Sequence, residues 1–133
     1  MAIKKTKVAV TTTGANAAAT GTGTTEYPIH GWIECVMLDY AGTAPSTTDL
    51  TITQVSELKA ANIVTLSDNA TDKVLYPRVQ AHQNDGTPLT LEGSEPLVTR
   101  YPVCDKLIVS VTGCNALAPA VTAEIYYEDE RGA

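Results

Sequence analysis

Apolar and polar residues alternate with a period of two along most of this chain, which is the pattern of half-buried β-strands. Clusters of Gly, Pro, Ser, Thr, Asn and Asp separate the alternating segments and predict turns. Only 56–62 resembles a helix, of one or two turns, with Ser56 as its cap. The strands are expected at 7–13, 27–40, 49–55, 63–66, 73–82, 89–93, 96–104, 105–112 and 120–129.

Strands that are apolar on one side bury that side by forming a sandwich or a barrel. We therefore predict an all-β fold, an antiparallel two-sheet β-sandwich of jelly-roll-like type, over residues 26–133. The residue types agree, because the β-branched residues threonine and valine are abundant and suit a pleated surface. Phenylalanine is absent, so aliphatic residues and tyrosine must fill the core. Within the long segment 27–40, Gly31 predicts a kink or a bulge.

The first 25 residues differ from the rest of the chain. They contain three lysines, Lys4, Lys5 and Lys7, and no acidic residue. The Gly/Ala/Thr-rich stretch 14–25 has no apolar period. Residues 1–25 are therefore expected to form an N-terminal arm or a long loop with a possible first strand. An arm of this kind becomes ordered when it docks on a neighbour, whereas the alternative role for the lysines is simple solvation.

Charge restricts the classes of partner. The net charge is −6 at pH 7; because the first 25 residues carry +3, the remainder carries −6 − 3 = −9. An acidic body disfavours the phosphate backbone, so no direct contact with nucleic acid is expected. No apolar run approaches the roughly 20 residues that span a bilayer, and no apolar stretch of signal-peptide type follows the lysines. We expect a soluble protein made in the cytoplasm, with no membrane partner.

The three cysteines, Cys35, Cys104 and Cys114, are an odd number, which argues against a disulfide framework. They are expected to be free buried thiols in a reduced compartment. The chain has no short Cys-x-x-Cys or His-x-x-x-His pair for zinc, and its SDNATD turn does not match a calcium loop. Cys35 with His30 or His82 as a base is a weaker alternative to a buried thiol. No metal and no cofactor are therefore expected.

The segment 73–82 (KVLYPRVQAH) contains the densest set of candidate functional side chains. Pro77 cannot donate to a β-ladder, which predicts an edge strand or a bulge. A straight strand separates Arg78 from His82 by roughly 13 Å at the backbone, so the row does not converge on one reacting atom. A protein-contact surface is favoured over a solvated face and over an active site. Alternation places Leu75, Pro77, Val79 and Ala81 in the core and Val74, Tyr76, Arg78, Gln80 and His82 outside.

Three segments make the chain similar to the small head decoration, or cement, proteins of tailed bacteriophages: GWIECVMLDYAGTAPSTTDLTIT (31–53), NATDKVLYPRVQAHQNDGTPLT (69–90) and YPVCDKLIVSVTGCNALAPAVTAEIYYEDE (101–130). The resemblance implies a homotrimer on the outer capsid surface of a virion, assembled in the host cytoplasm, that bridges major capsid protein subunits. It implies no catalytic residue and no cofactor. The family has no motif that fixes its contact residues, so the expected contacts follow from patterning alone: Lys4, Lys5, Lys7, Tyr76, Arg78, Gln80 and His82.

Other classes of function stay open from the sequence. A sandwich can be a glycan-binding or adhesion module, which would use Trp32 or surface tyrosines for stacking. An enzyme would have to use Cys35, Arg78 and His82. Another virion component, such as a tail protein or a shell protein, is a further alternative.

Overall fold

The computed structural model describes residues 2–58 and 61–130, which contain twelve β-strands and no helix. The sequence predicts a helix at 56–62, but residues 56–58 and 61–62 are not helical. Residues 59 and 60 lie outside the described residues. The strands are β1 (Ala2–Val10), β2 (Ala19–Thr24), β3 (Ile29–Tyr40), β4 (Asp49–Gln54), β5 (Val64–Leu66), β6 (Lys73–Leu75), β7 (Arg78–Gln80), β8 (Thr90–Leu91), β9 (Glu95–Pro96), β10 (Val98–Asp105), β11 (Leu107–Cys114) and β12 (Val121–Asp129).

The strands form two main antiparallel sheets, which confirms the expected two-sheet sandwich. The first sheet has the order β1-β12-β3-β10-β7, and β6 also pairs with β3. The second sheet has the order β2-β11-β4-β5, and β8 pairs only with β9. β10 and β6 pair with different halves of β3, at Ile29–Ile33 and at Val36–Leu38.

The core lies between the two sheets and is mainly aliphatic. Alternation directs every second side chain of the long strands inward, as expected for β11 and β12. β-branched residues pack well on a pleated surface, so the core closes without phenylalanine. The largest fully buried side chains are Ile29, Ile33, Leu50, Ile52, Leu107, Ile125, Val10, Val36, Val109, Val111, Val121 and Thr25.

The irregularity of β3 lies at Glu34, not at Gly31. The register of β3 with β12 runs from Tyr126 opposite Cys35 to Tyr127 opposite Ile33, which leaves Glu34 as the extra residue of a bulge. Gly31 keeps a regular partner, Asp129. It is instead a point of close approach, because a Cβ atom there would collide with the carbonyl oxygen of Glu128. The bulge leaves both Glu34 and Cys35 outside the buried set and puts Ile33 and Val36 in the core.

Residues 2–24 belong to the sandwich itself in this structure. β1 pairs along its whole length with β12, and β2 pairs with β11, so this segment supplies one strand to each sheet. That arrangement differs from the expected arm that becomes ordered only on docking. Gly21 and Gly23 lie where the two strands approach: a Cβ on Gly21 would collide with the Thr11 carbonyl oxygen, and one on Gly23 would lie 2.6 Å from Val8 Cγ1. We call this glycine contact between β1 and β2 the glycine seam.

The segment 73–82 forms two short strands instead of one. β6 pairs with β3, whereas β7 pairs with β10 at the edge of the first sheet. The buried Pro77 lies between them, and its missing N–H cannot continue a ladder. The expected alternation holds in the main, because Leu75 and Val79 are partly buried while Val74 and Arg78 are exposed.

Residues 81–97, here called the excursion, connect β7 to β10 and stand away from the core. From 82 to 99 every residue is exposed except Leu89. Three backbone hydrogen bonds form a closed cycle at its base: Ala81 N–H donates to Leu97 O, Leu97 N–H to Leu89 O, and Leu89 N–H to Ala81 O. The excursion is therefore ordered by its own backbone and buries little apolar surface.

Candidate functional site

The outward row expected at 76–82 is present, but most of it binds the chain's own backbone. The Arg78 guanidinium donates to the Pro77 carbonyl at 2.7 Å and to the Glu34 carbonyl at 3.3 Å. Gln80 Nε2 donates to Leu89 O at 3.1 Å, and His82 Nδ1 lies 2.7 Å from Gln80 O, where its N–H donates. Tyr76 is exposed between β6 and β7. Gln80 and His82 thus hold the base of the excursion, and Tyr76 is the side chain of this row most open to a partner.

The three lysines divide between two environments. Lys4 points inward and forms an ion pair with the buried Asp129, with Nζ and Oδ2 2.9 Å apart. Lys5 and Lys7 point outward, each within 4 Å of Glu124. The Tyr126 hydroxyl donates to Glu124 at 2.5 Å, and this hydrogen bond together with the two lysines lowers the pKa of Glu124. The outward pair is accessible to a partner, whereas Lys4 helps to hold β1 on β12.

An ionic cluster that the sequence did not indicate lies on the outer side of the first sheet. Arg100 bridges Glu34, at 2.6 Å, and Glu128, and its guanidinium lies 5.1 Å from the centre of the Trp32 ring. The hydrogen bonds to Glu34 and Glu128 raise the pKa of Arg100. The cluster joins β3, β10 and β12, and it depends on the bulge at Glu34. Alternation within one strand carries no signal for such a cross-strand contact.

A shallow groove of about 440 Å³ opens beside this cluster. His30 and Cys104 lie directly opposite each other on β3 and β10, and both line it. Cys104 is exposed and Cys35 is only partly buried, so the expectation of buried thiols holds for Cys114 alone. Burial, and then the charge of Glu34, raises the pKa of Cys35, which disfavours a thiolate nucleophile there. The groove is lined by His30, Gly31, Trp32, Gln54, Pro102, Val103, Cys104 and Glu130.

The outer side of the second sheet is a nearly uncharged hydroxyl surface, which we call the threonine face. Ser110 on β11 lies opposite Thr22 on β2 and opposite Thr51 on β4, and Thr51 lies opposite Thr65 on β5. One row of hydroxyl side chains therefore crosses all four strands. Among the described strands of this sheet the only charged residue is Asp49. The spacing of Thr20, Thr22 and Thr24 carried this signal in the sequence.

No protein-family model matches this chain, and no curated protein matches it either. Residues 2–58 and 61–130 contain no group of three or more His, Cys, Asp or Glu side chains placed to hold a metal ion. They also contain no helix of the length and apolar character that crossing a bilayer requires. The fold and its surfaces define an antiparallel β-sandwich with one charged outer side and one hydroxyl outer side.

Proposed function

We propose that this chain is a structural virion protein that decorates the outside of a phage capsid and stabilises it by bridging major capsid protein subunits as a homotrimer. The strand order is the observation that carries the proposal. The resemblance of residues 31–53, 69–90 and 101–130 to capsid cement proteins supports it independently of the fold. Because fold alone does not fix function, the contact surfaces must supply the rest of the argument.

The strand order favours a jelly roll. The chain crosses between the two main sheets from β1 to β2, from β2 to β3, from β3 to β4, from β5 to β6, from β10 to β11 and from β11 to β12. Apart from the short strands β6 and β7, the orders β1-β12-β3-β10 and β2-β11-β4-β5 resemble the four-plus-four arrangement of two Greek keys, which supports this assignment. This architecture is typical of viral capsid proteins and of lectins.

The threonine face is the surface that suits a capsid shell. Charged side chains are depleted in the cores of protein interfaces, since each buried charge must be desolvated. A face with hydroxyl and methyl groups and a single carboxylate, Asp49, avoids that cost. Three such faces on one trimer bind a shell more tightly than one, because later contacts are intramolecular. Tyr76, Lys5 and Lys7 are left for contacts with other neighbours.

Co-sedimentation with shells tests the proposal. Purified protein is mixed with expanded shells of the cognate major capsid protein that lack this chain. We expect the protein to sediment with the shells and the Thr22→Lys variant to lose most of its binding, because the new ammonium would have to be desolvated. The control is Thr43→Lys, at an exposed loop position, which we expect to bind like wild type. A wild-type protein that stays in the supernatant would contradict the proposal.

A glycan-binding role is the second candidate, and the groove beside Trp32 favours it. Sugar sites combine an aromatic ring with a few polar groups, and His30, Gln54 and Glu130 supply these here. The Arg100 guanidinium, however, lies over the Trp32 ring and competes for stacking. A glycan-array signal that Trp32→Leu abolishes and Tyr27→Leu leaves intact would establish this role in place of capsid binding.

A further inference from the structure

We propose that copies of this chain associate head to tail, with the excursion of one copy bound to the outer edge of β1 in the next. The inference names the contact within the proposed trimer and rests on the self-association contained in the proposed function. It concerns surfaces other than the threonine face assigned to the shell.

The excursion presents an acidic surface with exposed leucines. Leu91 is 54% exposed and Leu97 is 41% exposed, although both belong to an ordered, hydrogen-bonded segment. The register places both leucines on the same side of the β8–β9 pair. The same segment carries Asp85, Glu92 and Glu95 and contains no Lys or Arg. It therefore has a formal charge of −3 with His82 neutral.

The β1 edge has the complementary character. β1 is the first strand of its sheet, and within the described part of the chain only β12 is paired with it there. Its outward positions include Ile3, which is 61% exposed, followed by the exposed Lys5 and Lys7. Glu124 lies within 4 Å of both lysines and offsets one of their two charges, which leaves a net positive charge here. An apolar anchor beside this positive charge matches leucines beside three carboxylates. Complementary charge of this kind steers association and selects the partner surface.

The positions of the two surfaces set the symmetry of the contact. β1 and β7 lie at opposite edges of the same sheet, separated by four strand spacings, or about 19 Å. A contact between two different surfaces is heterologous, and it forms a closed ring when the rotation between copies closes. A ring of three copies fits the proposed homotrimer. Lysines on an edge strand also have a purely protective role, in which they keep the edge from pairing with other chains.

Charge reversal distinguishes a docking role of the β1 lysines from a purely protective one. Sedimentation velocity gives the mass of the wild type, of Lys5→Glu/Lys7→Glu, of Glu92→Lys/Glu95→Lys and of the chain that combines all four changes. We expect the wild type to have a multiple of the 14.0 kDa chain mass. Each double variant should associate about a hundredfold more weakly, because like charges then face each other. The combined variant should recover the wild-type mass.

The matched control for Lys5→Glu/Lys7→Glu is Lys73→Glu/Lys106→Glu. It makes the same change in net charge as that variant, at exposed lysines outside both surfaces. We expect it to keep the wild-type mass, and circular dichroism checks that every variant is folded. A monomeric wild type, an unchanged mass in either double variant, or a combined variant that stays monomeric would each overturn the contact. Shell co-sedimentation is measured in parallel. A monomer that binds shells overturns this contact and leaves capsid binding in place. An oligomer that does not bind shells overturns capsid binding and leaves this contact in place.

Discussion

Individual buried threonines connect loops to strands through their hydroxyl groups. The Thr25 hydroxyl accepts a hydrogen bond from Leu107 N–H and donates one to Tyr27 O, each at 3.1 Å. The Thr12 hydroxyl accepts from Leu117 N–H at 3.0 Å. Both side chains are almost fully buried, and the hydrogen bond from Leu107 N–H to Thr25 is itself buried. The abundance of threonine thus reflects these internal roles as well as β-propensity.

Thr25→Val should destabilise the fold although valine has nearly the same shape. It removes the acceptor for the buried Leu107 N–H, and a buried group left without a partner costs about 1–3 kcal/mol. It also removes the donor to Tyr27 O. Urea unfolding monitored by circular dichroism measures the change. The control Thr24→Val, at the exposed neighbouring position, should stay within about 0.5 kcal/mol of wild type. Equal unfolding midpoints for the two variants would show that the hydroxyl of Thr25 contributes nothing.

At the scale of elements, β2 is a strand that the alternation of apolar and polar residues does not predict. Its sequence ATGTGT alternates threonine outside with glycine inside. The inside positions hold glycine because other atoms occupy the space that a side chain would need: the Thr11 carbonyl, directly after β1, at Gly21 and the Val8 side chain at Gly23. Glycine has no apolar side chain, so the alternation of apolar and polar residues is missing here and the sequence predicts a loop or an arm. The glycine seam closes one side of the sandwich through backbone proximity.

Gly21→Ala should break the glycine seam. The new methyl group would collide with the Thr11 carbonyl oxygen, and overpacking against a backbone atom costs about 3 kcal/mol. Thermal and urea unfolding both report the loss. Gly42→Ala is the control, since nothing lies within 4 Å of its added Cβ, and it should change stability by less than about 0.5 kcal/mol. A Gly21→Ala protein as stable as Gly42→Ala would mean that β1 and β2 are farther apart than described.

The excursion should be dispensable for folding. Ala81 and Leu97 are hydrogen-bonded across the β7–β10 pair, so an Asn-Gly turn in place of residues 82–96 closes a standard two-residue hairpin. The shortened chain should retain its far-ultraviolet spectrum and lose no more than about 1–2 kcal/mol, because little apolar surface is removed. It should also sediment as a monomer. A chain that fails to fold would show that the excursion supports the core.

For the whole molecule, the sequence predicted the layers and missed the contacts between strands. Period-two alternation is local, so it identified β4, β11 and β12 and the sandwich that buries them. Pro77 predicted an irregular edge for a similar local reason. The Arg100 cluster with Glu34 and Glu128 depends on how β3, β10 and β12 align, and alignment is set by packing across the sheet. The bulge at Glu34 lies in a long, mainly apolar segment whose glycine, Gly31, marks a different position.

The three cysteines differ in burial, so their rates of chemical modification test the whole fold. Under native conditions a thiol reagent should modify the exposed Cys104 first and the partly buried Cys35 more slowly, because burial also raises the pKa of Cys35. The fully buried Cys114 should react only when the sandwich opens. Mass spectrometry of digested samples follows each site, and Cys104→Ser simplifies the kinetics. Modification of Cys114 as fast as Cys104 would contradict the described burial.

The antiparallel pairing of β1 with β12 places Ala2 directly across from Asp129. Facing residues on neighbouring strands are only about 5 Å apart at their Cα atoms, so a short linker could join Asp129 to Ala2. A circular permutant opened at the exposed Asn84–Asp85 turn would then contain the same pairings in a different chain order. Domains genetically fused before Ala2 and after Asp129 would therefore be attached next to each other on the sandwich.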